Sequence, residues 1–257
     1  MSLLISHHEG IAFLTLDRPA LHNAFDDTLI RELTVAFQEA GHDPATRFVV
    51  LGANGTTFSA GADLGWMRRM QAYTPTENLA DARALANLMH VIDTCPKPTI
   101  ARVHGSAFAG GLGLIACCDI AVAVPTAQFA ITEVRLGLIP AVISPYLVRA
   151  MGARAARRWF LTGERFPAAE ALALGLIHEV VEVEELDGAI HRHIESLRMA
   201  PPGALAAAKK LVVMVDRPIN EAVIESTAQE IAILRVAPEG RKGIAAFLEK
   251  RKPDWQA

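Results

Sequence analysis

Residues 2–6 and 11–16 are short runs rich in Leu, Ile and Phe on either side of His8-Glu9-Gly10, and they predict two strands joined by a tight turn. Asp17-Arg18-Pro19 ends the second run. Asp26 or Asp27 stands where a carboxylate can cap a helix, and Leu29, Ile30, Leu33, Val35 and Phe37 carry that helix to Gly41. Phe48 to Gly52 is apolar throughout, the pattern of a strand covered on both faces. FSAGADL (58–64) is a small-residue turn leading into a short helix. Pro75 to Asp93 predicts a longer helix, stopped by Cys95-Pro96-Lys97-Pro98, and residues 99–104 predict another strand. The order β-β-α-β-α-β-turn-α-β calls for an α/β domain with crossover helices.

The stretch from Ile100 to Val124 organises the rest. An apolar strand breaks at Gly105, and Gly110, Gly111 and Gly113 crowd into one turn before a helical run through Cys118 and a second apolar strand. Glycines there let backbone approach a ligand, and a helix starting at the turn aims unpaired N–H groups at it. Beyond Pro125 the pattern predicts a short strand at 128–130 and helices at 145–151, 153–161 and 167–174. A last strand follows at 178–181, and helices from Val183 onward are interrupted at Pro201-Pro202 and Pro218. The apolar faces of the final helices must bury against the core or a neighbouring subunit.

Composition narrows the function. With 257 residues, 51% of them hydrophobic, a sizeable core is available. The formal net charge of -3 and the absence of a long Lys/Arg run argue against nucleic acid or an anionic membrane surface as partner. The odd count of three cysteines, two adjacent at Cys117-Cys118, suits a reducing compartment, and a cytoplasmic location is expected. The nine histidines show no metal-ligand spacing. His191 and His193 diverge on their helix, and only His22 and His104 lie near the candidate turns. Ser59 and Ser106 sit in those turns without a nucleophile-elbow pattern.

Two glycine-rich turns, 58–64 and 105–113, each follow an apolar strand and precede a helix, which suits a pair of N–H donors for an oxyanion. Gly111-Leu112-Gly113-Leu114-Ile115-Ala116 also fits the spacing of a dinucleotide fingerprint, with Glu133 as the ribose-binding acid, although that acid should end the next strand near Val124. Glu133 sits in the apolar segment AQFAITEVRLGLIP, where desolvation favours acid/base work. The alternative is an ion pair with Arg135.

FSAGADL (58–64), HGSAFAGGLGLIACCDIAVA (104–123) and AQFAITEVRLGLIP (127–140), with LDRPALHNAF (16–25) and AFLEKRKPDW (246–255), resemble the crotonase superfamily of enoyl-CoA hydratases and isomerases. The resemblance implies a spiral α/β core of ββα units over 1–195 and a helical region over 196–257 that builds trimers or dimers of trimers. It also implies acyl-CoA thioester substrates, no metal and no separate cofactor, coenzyme A being part of the substrate. On matching positions, the N–H groups of Ala62 and Gly110 form the oxyanion hole and Glu133 is the catalytic carboxylate. His22, Ala24, Ala60, Asp63, Leu64, Phe108 and Thr132 line the acyl-CoA path, and Phe247 and Lys250 close on its adenine and phosphate end.

Two departures stand out. Ala20 replaces a basic residue common after the Arg-Pro pair, and Gly113 stands where two-carboxylate hydratases have their first glutamate. The family's thioester hydrolases share that glycine but add an aspartate where this chain has Ala141. PAVISPYLVRAMG (140–152) resembles the methylglutaconyl-CoA and carboxygeranoyl-CoA hydratases of leucine and acyclic-terpene breakdown. The resemblance thus implies a hydratase of a branched, carboxylate-bearing enoyl-CoA, with two alternatives: a single-glutamate double-bond isomerase, or a non-catalytic CoA- or RNA-binding relative. Arg68 or Arg69 is the expected partner of a distal substrate carboxylate, and Gly113→Glu is expected to raise activity on crotonyl-CoA.

Overall fold

The computed structural model describes residues 2–256. The expected hairpin forms from β1 (Leu3–His8) and β2 (Ile11–Leu16), and Glu9 and Gly10 take φ of 49° and 78°, as a two-residue hairpin turn requires. Asp26 caps α1 (Asp27–His42), its carboxylate accepting the Leu29 N–H at 2.9 Å. Leu29, Ile30, Leu33, Ala36, Phe37 and Ala40 form its buried stripe. Next come β3 (Phe48–Ala53), β4 (Thr57–Ser59), α2 (Leu64–Met70) and α3 (Pro75–Asp93). Thr74 and Glu77 close a reciprocal cap at the start of α3, with Pro75 in its first turn.

The central stretch holds β5 (Thr99–Val103), β6 (Ser106–Phe108), α4 (Gly110–Ala116) and β7 (Ile120–Ala123). β8 (Gln128–Ala130) leads into a 3-10 turn over Glu133–Leu136, then α5 (Ser144–Thr162), β9 (Arg165–Pro167), α6 (Ala168–Ala173) and β10 (Glu179–Val180). The two helices expected at 145–151 and 153–161 run on as one element broken by the non-helical Gly152. Helices α7 (Leu186–Arg198), α8 (Pro202–Val215), α9 (Glu221–Val236) and α10 (Pro238–Leu248) complete the chain.

The strands divide into two sheets, which the sequence pattern does not reveal. One has the order β1-β2-β3-β5-β7-β10, the other β4-β6-β8-β9. β3, inside the sheet between β2 and β5 and parallel to both, is buried along its whole length, as expected of a strand covered on both faces. Each successive pair, β3/β4, β5/β6 and β7/β8, gives its first strand to the large sheet and its second to the small one. Strands β4, β6 and β8 are only three residues long and built mostly of small residues, so they carry no alternation to read. They run parallel as neighbours, and their carboxyl ends therefore open side by side.

Two compact units are present, one of residues up to 95 with 99–190, the other of 96–98 with 191 onward. In the second unit, Glu239 accepts the Gly203 and Ala204 N–H groups, each at 3.2 Å, tying α10 to the start of α8. Its helices expose Val212, Val213, Ile224, Ile231, Ile233, Val236, Ile244 and Phe247. Among the described residues no helix is long and apolar enough to cross a membrane.

Candidate active site

Three turns meet at the carboxyl ends of β4, β6 and β8, where a parallel sheet presents its ligand sites. The first contains Ala60 to Asp63, the second Ala109 and Gly110, and the third Ile131 to Glu133. A Cβ built on Gly61 would lie 2.9 Å from the Phe108 carbonyl oxygen, 3.0 Å from the Ala109 Cβ and 3.6 Å from the Gly110 nitrogen, so the first two turns are in contact.

Ala62 forms an isolated parallel bridge with Phe25. Phe25 N–H donates to the Gly61 carbonyl at 2.8 Å, and Asp63 N–H donates to the Phe25 carbonyl at 2.9 Å. In a parallel bridge the residue opposite keeps its own N–H and C=O turned away, so Ala62 N–H points off the bridge. Gly110 is the first residue of α4, where an N–H has no intrahelical acceptor. Before it, Ala109 takes φ 49° and ψ -125°, a glycine-like conformation that turns the chain sharply from β6 into α4. Two donors from adjacent turns can polarise one carbonyl oxygen and stabilise the enolate formed from it.

Glu133 supplies a carboxylate on the third turn. Its Oε2 is buried and has no hydrogen-bond partner among the described residues. Burial raises its carboxyl above the ordinary glutamate value, partly offset by a hydrogen bond from its own backbone N–H. The alternative of an ion pair with Arg135 does not hold, since Arg135 turns to the Thr162 carbonyl at 3.4 Å. The dinucleotide reading fails as well, because Glu133 opens a 3-10 turn beyond β8 rather than ending the strand after α4.

The other candidates divide by unit. His22 and Asn23 both take positive φ, and the His22 ring contacts Thr57 Oγ1 at 3.0 Å. Ala60 N–H donates to the His22 carbonyl at 2.9 Å, and Ala24 is buried beside that segment. The Asp63 carboxylate is fully engaged, capping α2 through the Trp66 N–H at 3.0 Å and pairing with Arg18 at 3.1 Å. Leu64 is exposed, Phe108 carries the Arg165 guanidinium over its ring at 5.2 Å, and Thr132 immediately precedes the Glu133 turn. Phe247 and Lys250 lie in the second unit, with Phe247 81% exposed. His104 braces the Gly55 carbonyl at 3.0 Å. Ser59 Oγ donates to the Asn23 carbonyl at 3.0 Å, and Ser106 Oγ accepts the Gln128 N–H at 3.0 Å, so both serines serve the backbone.

A family model described as enoyl-CoA hydratase/isomerase matches residues 6–257. The chain belongs to the enoyl-CoA hydratase/isomerase family. A putative enoyl-CoA hydratase of Thermus thermophilus is 35% identical over 243 residues, covering 95% of this chain and 96% of that one. The 2,3-dehydroadipyl-CoA hydratase of Escherichia coli is 31% identical over 256 residues, 99% of this chain and 98% of its own. The crystal structure of an enoyl-CoA hydratase from Shewanella pealeana superposes with a TM-score of 0.96 at 46% identity, covering 99% of this chain and 96% of that chain.

Within this family member, the sequence reading missed three residues. Ile143 occupies the space beside Gly113: a Cβ there would lie 2.3 Å from Ile143 Cγ2 and 3.1 Å from Met89 Sδ. Arg18 bridges Asp26 and Asp63, both at 3.1 Å, and donates to the Ala24 carbonyl at 2.7 Å. Phe25 is buried between the two donor turns. All three stand inside stretches that carry the family resemblance, but nothing local announces these contacts, because each arises from long-range packing.

Proposed function

We propose that this enzyme adds water across the α,β double bond of an enoyl-CoA thioester, with Glu133 as its one acid/base group. The observation that carries the reading is the buried, unpartnered Glu133 Oε2 on the turn after β8, whose neighbour β6 leads into Gly110. The Ala62 and Gly110 N–H groups receive the thioester oxygen and hold its negative charge while the enolate exists. Glu133 takes a proton from water as the water oxygen bonds to the β-carbon. The double-bond electrons move to the α-carbon, and Glu133 returns the proton there. His22, Ala24, Ala60, Leu64, Phe108 and Thr132, with Asp63 through its backbone, line the acyl-CoA path. In the homotrimer proposed below, Phe247 and Lys250 of a neighbouring subunit receive the adenine and phosphate end. No metal or separate cofactor enters the reaction.

The acyl group we assign is branched and carries a distal carboxylate, methylglutaconyl-like, which the stretch 140–152 and the dicarboxylic acyl group in the E. coli relative's name support. Arg69 already pairs with Asp27 at 2.5 Å, so the cation we assign to that carboxylate is Arg68. Arg68 is exposed and makes no ion pair among the described residues. Losing one charge-assisted contact of about 1.5–3 kcal/mol, Arg68→Gln raises KM for a dicarboxylic acyl-CoA roughly tenfold or more and leaves KM for crotonyl-CoA unchanged. Equal effects on the two substrates remove Arg68 from the site.

One observation favours a second reading. Ile143 fills the place beside Gly113, leaving an apolar wall where a second carboxylate would hold water. Such a wall suits a double-bond isomerase in which Glu133 carries a proton between the α- and γ-carbons. A panel of enoyl-CoA thioesters, followed for hydration and isomerisation together, separates the two. Stabilisation by RNA oligonucleotides but not by CoA would instead indicate a binding protein.

The exposed apolar faces of α8, α9 and α10 fit a homotrimer or a dimer of trimers. Light scattering at micromolar concentration is expected to show one of these, and a stable monomer overturns it.

A further inference from the structure

Phe25 touches both oxyanion donors, one through its backbone and the other through its ring. Its N–H and C=O make the two hydrogen bonds, 2.8 and 2.9 Å, that hold the Ala62 bridge and turn the Ala62 N–H outward. The residue is 2% exposed, and its ring ends against Gly110. A Cβ at Gly110 would lie 2.3 Å from Phe25 Cζ and 3.2 and 3.3 Å from its Cε atoms. The length of this one side chain therefore spans from the first donor turn to the second.

Both ends of the span are held. Arg18 pairs with Asp26 and Asp63, the residues that follow Phe25 and Ala62, and also donates to the Ala24 carbonyl. Its side chain is 16% exposed and the two carboxylates 21% and 13%, so solvent screens this clamp little. The Phe25 ring packs against Trp66 at 6.2 Å between centroids, tilted by 55°. Trp66 is fixed in turn by its Nε1–H, which donates to Asp81 at 3.1 Å. An aromatic ring has two side-chain torsions and a rigid tip, which suits it to keep a distance that a flexible side chain would not.

We infer that Phe25 is a positioning residue that sets the separation of the Ala62 and Gly110 N–H groups, clamped at its base by Arg18. Resting on the reading of those donors as an oxyanion hole, this assigns Phe25 to transition-state stabilisation rather than to core filling alone. Gly110 lacks a Cβ because the ring tip takes its place. Shortening the ring lets the two turns relax toward each other. Adding a methyl at 110 pushes them apart.

The test uses Phe25→Leu, Gly110→Ala and the double variant. Each is measured for kcat and KM on the best enoyl-CoA of the panel. Each is also measured by difference infrared spectroscopy with bound butyryl-CoA, carbon-13-labelled at its carbonyl. Since misplacement of about 1 Å can cost about a hundredfold, each single variant is expected to lose roughly 10–100-fold in kcat at near-constant KM. The bound carbonyl band should move back toward its free position. The double variant should exceed Gly110→Ala in kcat, because the leucine makes room for the added methyl. If Phe25→Leu does not fold, Phe25→Met fills the core with a flexible chain and is read in the same way. A wild-type enzyme that leaves the butyryl-CoA carbonyl unshifted overturns the oxyanion reading itself, and the inference with it. A wild-type shift that persists in Phe25→Leu, with kcat retained, overturns the role of Phe25 alone.

Discussion

Glu133→Gln is expected to lower kcat for hydration by roughly 10²–10⁴-fold, with any isomerase activity falling in parallel, because the proposed mechanism gives a single group the proton in both. The amide keeps the shape of the side chain and removes its basicity. Two further readouts follow from the burial of Oε2. Burial raises the wild-type carboxyl above an ordinary glutamate, so kcat/KM should fall on acidification through a higher pH than an ordinary glutamate would give. The same shift bears on stability. A carboxyl with a raised folded-state pKa holds its proton more tightly in the fold than in the unfolded chain. Its contribution to stability is therefore lost as pH rises from the unfolded value through the folded one. Glutamine stays neutral throughout, so Glu133→Gln should melt above wild type at neutral pH and lose that advantage in acid. Wild-type turnover in a folded Glu133→Gln enzyme would remove Glu133 from the chemistry.

Gly113→Glu carries the other large effect, and it runs against the expectation from sequence. Supplying the first glutamate of a two-carboxylate hydratase looks like a route to activity on crotonyl-CoA. The structure closes that route. The new Cβ would sit 2.3 Å from Ile143 Cγ2, 3.0 Å from Ile143 Cβ and 3.1 Å from Met89 Sδ, and Gly113, Ile143 and Met89 are all buried. Overpacking of this kind costs about 1–3 kcal/mol, and an unpaired buried carboxylate adds to it. At about 2–4 °C per kcal/mol for a chain near this size, a fall in Tm of roughly 5–10 °C is expected, with no gain on crotonyl-CoA. Pairing it with Ile143→Ala removes the clashing branch, and the double variant should recover both Tm and crotonyl-CoA hydration relative to Gly113→Glu. A single variant that is as stable as wild type and faster on crotonyl-CoA would show that Ile143 yields freely.

The contrast marks what the amino-acid pattern could and could not convey. The hairpin, α1 with its aspartate cap, the buried β3 and α3 were legible because each writes a local signal: a turn pair, a cap, an apolar run, a Pro-flanked stop. The small sheet was not, since strands such as Thr57–Ser59 and Ser106–Phe108 are too short to show a period. Gly110, Ala62 and Glu133 could be picked out by motif. That the turns carrying them open side by side depends on β4, β6 and β8 pairing as neighbours, which no local pattern encodes. Ile143 was hidden for the same reason. It stands 30 positions from the glycine it covers, and nothing local distinguishes it from any other core isoleucine.

Ala109 gives the turn at Gly110 a further meaning. With φ 49° and ψ -125°, it holds a conformation that a residue with a side chain adopts only at a cost, of order 1–3 kcal/mol. Its ψ also fixes the plane of the peptide that ends in the Gly110 N–H. Backbone comfort and the aim of that donor are thus governed by one torsion. A change that lets residue 109 settle into an easier conformation would rotate the donor, so in the proposed mechanism thermal robustness and turnover draw on the same bond.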